Sequence, residues 1–448
     1  NLSELNSFTL AGGYFSPWSV YYLTYFFLAL VFVILIIFIL KLKYEIKIKF
    51  LTTIISIGIT ILCFEIFLTI SSEKYNIESK IERAEKLGIE FDSRSIINVL
   101  GDLNKNDNSV FPNFKPKFLL VEDYYYKEGF QTVNNDKIFP LSNISNISTL
   151  LTNENGYYPI VTTDNHGFTN SKNIYNTHID IMLIGDSYIE GYSVKSENSI
   201  GSNLNAAGFN TISLGKGGNG PIIELASLRE YAKPYKPSIV IWFFVHNDFR
   251  NLHYELRSDL LTNYLIDVNF GQDLINKQSE IDNFIKSYIN SEKEELKQNK
   301  LNFFNLDKII EVFKLSQLRI YFINTLIYSN TQKNYEILHK VLMSANNEVT
   351  SWGGEFYFVY IPSSQTIKNS LPGNSNISFN KYEGISTIED IHEICKKLNI
   401  EVIDFFSEIN KIKNYKTIFP LESAGHYNKK GYKLLSDKLI KKLELKDE

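Results

Sequence analysis

Residues 179–194 read IDIMLIGDSYIEGYSV. The first six are apolar apart from Asp180, the pattern of a strand buried on both faces of a parallel sheet. Gly185-Asp186-Ser187 follows at once. A turn there sets Ser187 where a strand gives way to a helix, at the sheet edge where ligands of open parallel sheets bind. Similar runs recur at NTISL (210–214), SIVIWFF (238–244), EFYFVYI (355–361) and EVIDFF (401–406), with helical patterns such as PIIELASLREYAK and IEDIHEICKKLN between them. Strands alternating with helices predict an α/β fold, a doubly wound parallel five-stranded sheet. A last helix is expected over 429–445.

Outward from this frame, 249–347 is charge-rich and helical in pattern, and reads as a helical insertion on a domain spanning 178–448. A coiled coil is not indicated, because heptads are not sustained. Residues 89–177 are irregular and rich in Asn, Ser, Pro and Tyr. With a helix expected over 73–88, they form a linker helix and accessory region over 73–177. His166 is a lone histidine there and reads as structural.

Residues 1–72 read as a two-helix transmembrane hairpin. The stretch 20–40 carries no charge and is long enough to cross a bilayer core. Tyr21, Tyr22 and Tyr25 stand near its start, as in an interfacial aromatic belt. A second apolar stretch, 50–70, carries one acid, Glu65. Lys41, Lys43, Lys47 and Lys49 lie between the two, against Glu45, which places that loop in the cytoplasm and both termini on the other side. The bilayer is therefore an expected partner. Asn1 is not a methionine, so a segment removed or left out upstream is expected.

The chain has 448 residues and a formal net charge of −4, which gives no electrostatic case for nucleic acid. Cys63 and Cys395 are isolated, so neither a disulfide framework nor a cysteine zinc site is expected.

Four short pieces carry the chemistry. Ser187 follows the first strand and Gly215–Gly220 the second. His246-Asn247-Asp248 follows the third, and Gly425-His426-Tyr427-Asn428 precedes the last helix. Glycine lets backbone approach a reacting group, an asparagine amide donates to developing negative charge, and a histidine can take a serine proton. Gly215–Gly220 matches neither a Walker loop nor a dinucleotide fingerprint.

In this order the pieces resemble the SGNH hydrolase family, also called GDSL esterases. The resemblance covers about 179–248 and 355–445. It implies a flavodoxin-like SGNH fold with Ser187 as nucleophile and His426 as base. Gly218 and Asn247 would complete the oxyanion hole, with no cofactor or metal. The accessory region also looks like that of membrane-tethered bacterial members whose substrates are mostly unassigned.

Two departures stand out. Val245 and His246 occupy the place where the family's third block has glycine, and His246 is a candidate second histidine. The family's aspartate, two or three residues before the histidine, is replaced by Ala424 and Ser423. Glu422, one residue further back, is a possible acid, and a backbone carbonyl holding the imidazole is the alternative.

The expected function is a membrane-anchored serine esterase or O-acyltransferase acting through an acyl-enzyme on an envelope glycan or lipid ester. The expected location is the bacterial inner membrane, with the catalytic domain outside the cytoplasm. A membrane acyltransferase or another envelope protein is an expected partner. The competing reading is a catalytically impaired scaffold subunit that keeps the fold.

Overall fold

The computed structural model describes residues 43–106, 110–121, 126–301, 334–370 and 385–444, with isolated positions between 26 and 41 and at 315 and 318. The chain divides into two units, residues 1–71 with 307–318, and residues 72–306 with 319–448.

In the first unit, Tyr44–Leu68 is long and apolar enough to cross a membrane, with a mean hydropathy of 2.2. Its hydroxyls turn inward: Thr52, Thr53, Ser56 and Thr60 each donate to a carbonyl one turn back, which satisfies them without water. Glu65 is fully buried. Its carboxylate accepts the Leu318 N–H at 2.9 Å. The segment belongs to one 43-residue helix, α1, Tyr44–Lys86. The expected loop is thus helical from Tyr44, and the expected linker helix over 73–88 continues the apolar stretch over 50–70 without a break. The other expected span, 20–40, lies outside the described residues except at scattered positions.

In the second unit, five parallel strands form the main sheet: β1 (Ile181–Ile184), β2 (Thr211–Ser213), β3 (Ile239–Val245), β4 (Glu355–Ile361) and β5 (Glu401–Val402). Their spatial order is β5-β4-β3-β1-β2. This is the flavodoxin-like arrangement, with its switch point between β1 and β3.

The apolar runs explain themselves by alternation. Met182, Val240, Trp242, Phe244, Phe356 and Phe358 face one core. Ile181, Leu183, Ile241, Phe243, Tyr357 and Val359 face the other. Side chains alternate across a strand, so a sheet covered on both sides needs apolar residues at every position.

β5 is shorter than its apolar run suggests. Among the described residues it pairs with β4 alone, and Asp404 then accepts the Ser407 N–H at 3.1 Å and turns the chain into a helical turn.

Tyr335–Ser351, at the end of the charge-rich block, is a crossover helix. It lies between β3 and β4 and buries Leu338, Val341, Leu342, Ala345 and Val349. The earlier part of that block contains helices Asp248–Glu255, Asp259–Ile266 and Gln278–Leu301.

The accessory region has a two-turn helix, Ile96–Leu103, and short strands. Val110–Pro112 pairs with Ser148–Leu150, which pairs with Ile160–Thr162. Its Phe114, Leu119, Phe139, Leu141 and Phe168 join the same core cluster as the sheet, while Val99, Val110 and Leu150 make a small cluster of the region's own.

Candidate active site

β1 ends at Ile184, and Asp186 caps a short helix, Ser187–Glu190, by accepting the Tyr188 N–H at 2.9 Å. Ser187 is the first helical residue, so its N–H has no intrahelical acceptor and points outward. Gly215 packs against this turn so closely that a Cβ there would lie 2.5 Å from the Ile189 carbonyl carbon. Only glycine brings the loop after β2 beside the serine.

The Ser187 hydroxyl lies 2.7 Å from Nε2 of His426. On the other side of the ring, Nδ1 is 3.0 Å from Oε1 of Glu154, and the His426 N–H donates to Glu154 Oε2 at 2.9 Å. The ring sits between Tyr188 and Tyr192, with centroids 4.8 and 4.7 Å away. These contacts hold the imidazole in one plane.

Glu154 corrects the expectation for the acid. Glu422 is exposed, with a φ of +49° in the turn before the histidine. Among the described residues, no hydrogen bond or ion pair joins it to His426. Glu154 reaches the place that a nearby aspartate would fill because of two turns. In its own turn, Asn153 accepts the Gly156 N–H, and Asn155 donates to the Ser193 carbonyl. In the other, Gly425 has a φ of +130°, and a Cβ there would stand 2.7 Å from Glu154 Oε2. A side chain at 425 would push the carboxylate away. No local spacing in the sequence points to Glu154. The one available signal is indirect, namely that the histidine lacks a neighbouring aspartate.

The electrostatics fit a charged partner for the imidazole. Burial works to raise the Glu154 carboxyl, but the charge of His426 and hydrogen bonds from His426 and Ser193 outweigh it and bring it down to about 2. Burial works to lower His426, but the charge and hydrogen bond of Glu154, with Asp186 behind, leave it raised above the ordinary imidazole value. An ionised Glu154 can only accept, so Nδ1 carries the proton. In the neutral ring Nε2 is then the acceptor for Ser187.

The other two expected residues are in different states. Asn247 donates to Asp186 Oδ2 at 3.2 Å, and that oxygen lies 3.1 Å from Ser187 Oγ. Gly218 has a φ of +81°. The neighbouring Gly217 N–H is committed to Glu190 Oε2 at 2.8 Å, whereas Gly218 N–H makes no hydrogen bond among the described residues. Glu190 also pairs with the fully buried Lys216, and both contact Asn113. That network fixes the glycine loop.

His246 is held neutral. Burial, then Arg250 and His426, push it down to about 4. His166 packs edge-on against Tyr175 and contacts the Tyr235 hydroxyl at 3.3 Å, contacts consistent with a structural role. Among the described residues, no group of three or more His, Cys, Asp or Glu is arranged to hold a metal ion.

Comparison with known proteins gives one kind of match. No family model matches the chain, and no curated protein does. The solved structures that it resembles are GDSL/SGNH-family hydrolases. A lipase/acylhydrolase from Enterococcus faecalis is 13% identical with a TM-score of 0.34, over 60% of this chain and 96% of that one. A GDSL-like lipase from Bacteroides thetaiotaomicron VPI-5482 is 11% identical with a TM-score of 0.31, over 60% and 88%. AlinE4, an SGNH-hydrolase family esterase, is 10% identical with a TM-score of 0.28, over 60% and 96%. At these values the likeness carries no argument by itself, and the fold and the chemistry rest on the geometry above.

Proposed function

We propose that this chain is a membrane-tethered serine esterase or O-acyltransferase that works through an acyl-enzyme on an ester of the bacterial envelope. The observation that carries the reading is the unbroken line of hydrogen bonds from Ser187 through His426 to Glu154. His426 Nε2 takes the serine proton as Oγ bonds to the ester carbonyl carbon. The oxygen of that carbonyl becomes an oxyanion, for which the N–H groups of Ser187 and Gly218 and the Asn247 amide are the donors. A lost donor of this kind costs about 10²–10³-fold in rate. Asn247 has to leave Asp186 to take part. As the intermediate collapses, the C–O bond to the alcohol breaks, and His426 gives its proton to the departing oxygen. Water or a sugar hydroxyl then attacks the acyl-serine, with His426 again taking and returning a proton, and Ser187 is freed. No step needs a cofactor.

Glu154 supplies the orienting carboxylate whose absence near His426 favoured a scaffold role, so the enzymatic reading is the stronger one. The apolar helix supports tethering, and the lysines at 41–49 favour the cytoplasmic side for its start, with the catalytic residues in the envelope.

The test is labelling of the detergent-solubilised chain with a fluorophosphonate. The intact protein should label, and Ser187→Ala and His426→Ala should not. A folded, unlabelled intact protein would overturn the reading.

A further inference from the structure

Asn247, Asn251 and Glu255 follow one another at steps of four in the sequence. Asn247 caps the helix Asp248–Glu255 and the other two lie within it, so the three share one face. Phe249 and Leu252 anchor that helix in the main core. Asn251 and Glu255 are polar yet only 1% exposed, a costly placement unless each finds partners. They find them in the loop after β2 and in the helix Pro221–Ser227 that follows it. Asn251 donates to the Asn219 carbonyl at 2.9 Å and accepts from Lys117 at 3.1 Å. Glu255 accepts the Gly220 N–H at 2.6 Å through one oxygen and the Ile222 N–H at 2.9 Å through the other. The approach is close: a Cβ on Gly220 would meet the Asn251 Cβ at 2.8 Å and Glu255 Oε1 at 2.9 Å.

Gly218 lies in the turn just before these contacts. The Asn219 N–H donates to the Lys216 carbonyl at 3.1 Å, and Gly218 has the φ of +81° that the third place of a type II turn takes. The turn is fastened at both ends. Glu190 holds its start through the Gly217 N–H and Lys216, and Asn251 and Glu255 hold its end. Asn247 begins the same helix, and its carbonyl accepts the Asn251 N–H at 3.0 Å. One short helix therefore joins the two oxyanion donors that follow different strands, Gly218 after β2 and Asn247 after β3. Capping of Pro221–Ser227 alone would account for Glu255. It does not account for Asn251, whose bond goes to the residue beside Gly218.

We propose that Asn251 and Glu255 are positioning residues of the oxyanion hole, which set the Gly218 N–H and the Asn247 amide at the separation that one oxyanion oxygen needs. The proposal rests on the reading of Ser187 as nucleophile with these two donors.

The test follows fluorophosphonate labelling of the full-length protein in detergent over time. It reads the maximal rate constant, the probe concentration at half that rate, and the fraction of protein finally labelled. Asn251→Asp keeps the shape but sets a carboxylate against the Asn219 carbonyl. Glu255→Gln leaves one of two N–H groups without its acceptor. Burial already pushes the Glu255 carboxyl up to about 7, against the N–H groups of Ile222, Gly220 and Ile223 and the charge of Lys117, so a neutral amide suits the site and this variant should fold. Each substitution should lower the maximal rate constant about tenfold or more, approaching the scale of a lost oxyanion donor. The half-saturating probe concentration and the labelled fraction should stay unchanged. A role confined to folding gives the reverse, a native rate constant in a smaller labelled fraction. That result, or a native rate constant in either folded variant, overturns the inference while the hydrolase reading stands. A folded intact protein that does not label is a different result, which overturns the hydrolase reading and the inference with it.

Discussion

Glu154 and His426 share their proton economy, and this has a visible pH signature. The base must be neutral to accept from Ser187. Because Glu154 and Asp186 raise His426 above the ordinary imidazole value of about 6.5, kcat/KM should climb with pH through a midpoint higher than that and then level off. Glu154→Gln should cost about 10³–10⁴-fold in kcat/KM, the usual scale for losing the orienting carboxylate of a triad. It should also move the midpoint of the surviving activity downward, because burial is then opposed only by Asp186. A purely structural role for Glu154 would lower the amount of folded protein and leave the midpoint alone. Ser187 and His426 were legible in the sequence because each lies next to a landmark, a strand end or a helix start. Glu154 was not. It lies 272 residues from His426, and a glycine at 425 rather than any motif admits it.

At the scale of elements, most of the sheet could be read from apolar runs, since alternation between two covered faces demands them. Where reading and structure part, a polar residue or a shared core decides. Asp404 ends β5 early, and the buried side of Tyr335–Ser351 makes it a crossover helix. The loop after β2 depends on a feature that hydropathy hides, the fully buried pair Lys216–Glu190. Lys216→Met removes the cation and leaves a buried carboxylate without its counter-charge, at a cost of about 3–5 kcal/mol. Urea denaturation should show this loss, and adding Glu190→Gln should recover part of it, because a neutral amide is cheaper to bury. An unchanged midpoint in Lys216→Met would mean that the pair does not stabilise the loop.

For the whole molecule, the apolar helix sets where the protein should be found. Tyr44–Leu68 exposes almost its entire apolar surface, with 6% of its most apolar window buried, which water would penalise heavily. The full chain should stay in the membrane pellet through alkaline carbonate and leave only with detergent. Recovery in the carbonate supernatant would refute tethering. The accessory region, by contrast, gave little away in the sequence. Its strands are two or three residues long, and many of its side chains complete a core shared with the sheet.

The carboxylate and the imidazole of this site come from opposite sides of the sheet in sequence, Glu154 ahead of it and His426 after it. During synthesis Ser187 emerges hundreds of residues before its base. Until the last turn forms and closes on Glu154, the serine is an ordinary alcohol. On the proposed mechanism a nascent polypeptide is therefore chemically silent, and a chain cut anywhere between these two residues should label with a fluorophosphonate only while the fragments stay together. In this sense the topology acts as a built-in safety catch, released by completion of the protein itself.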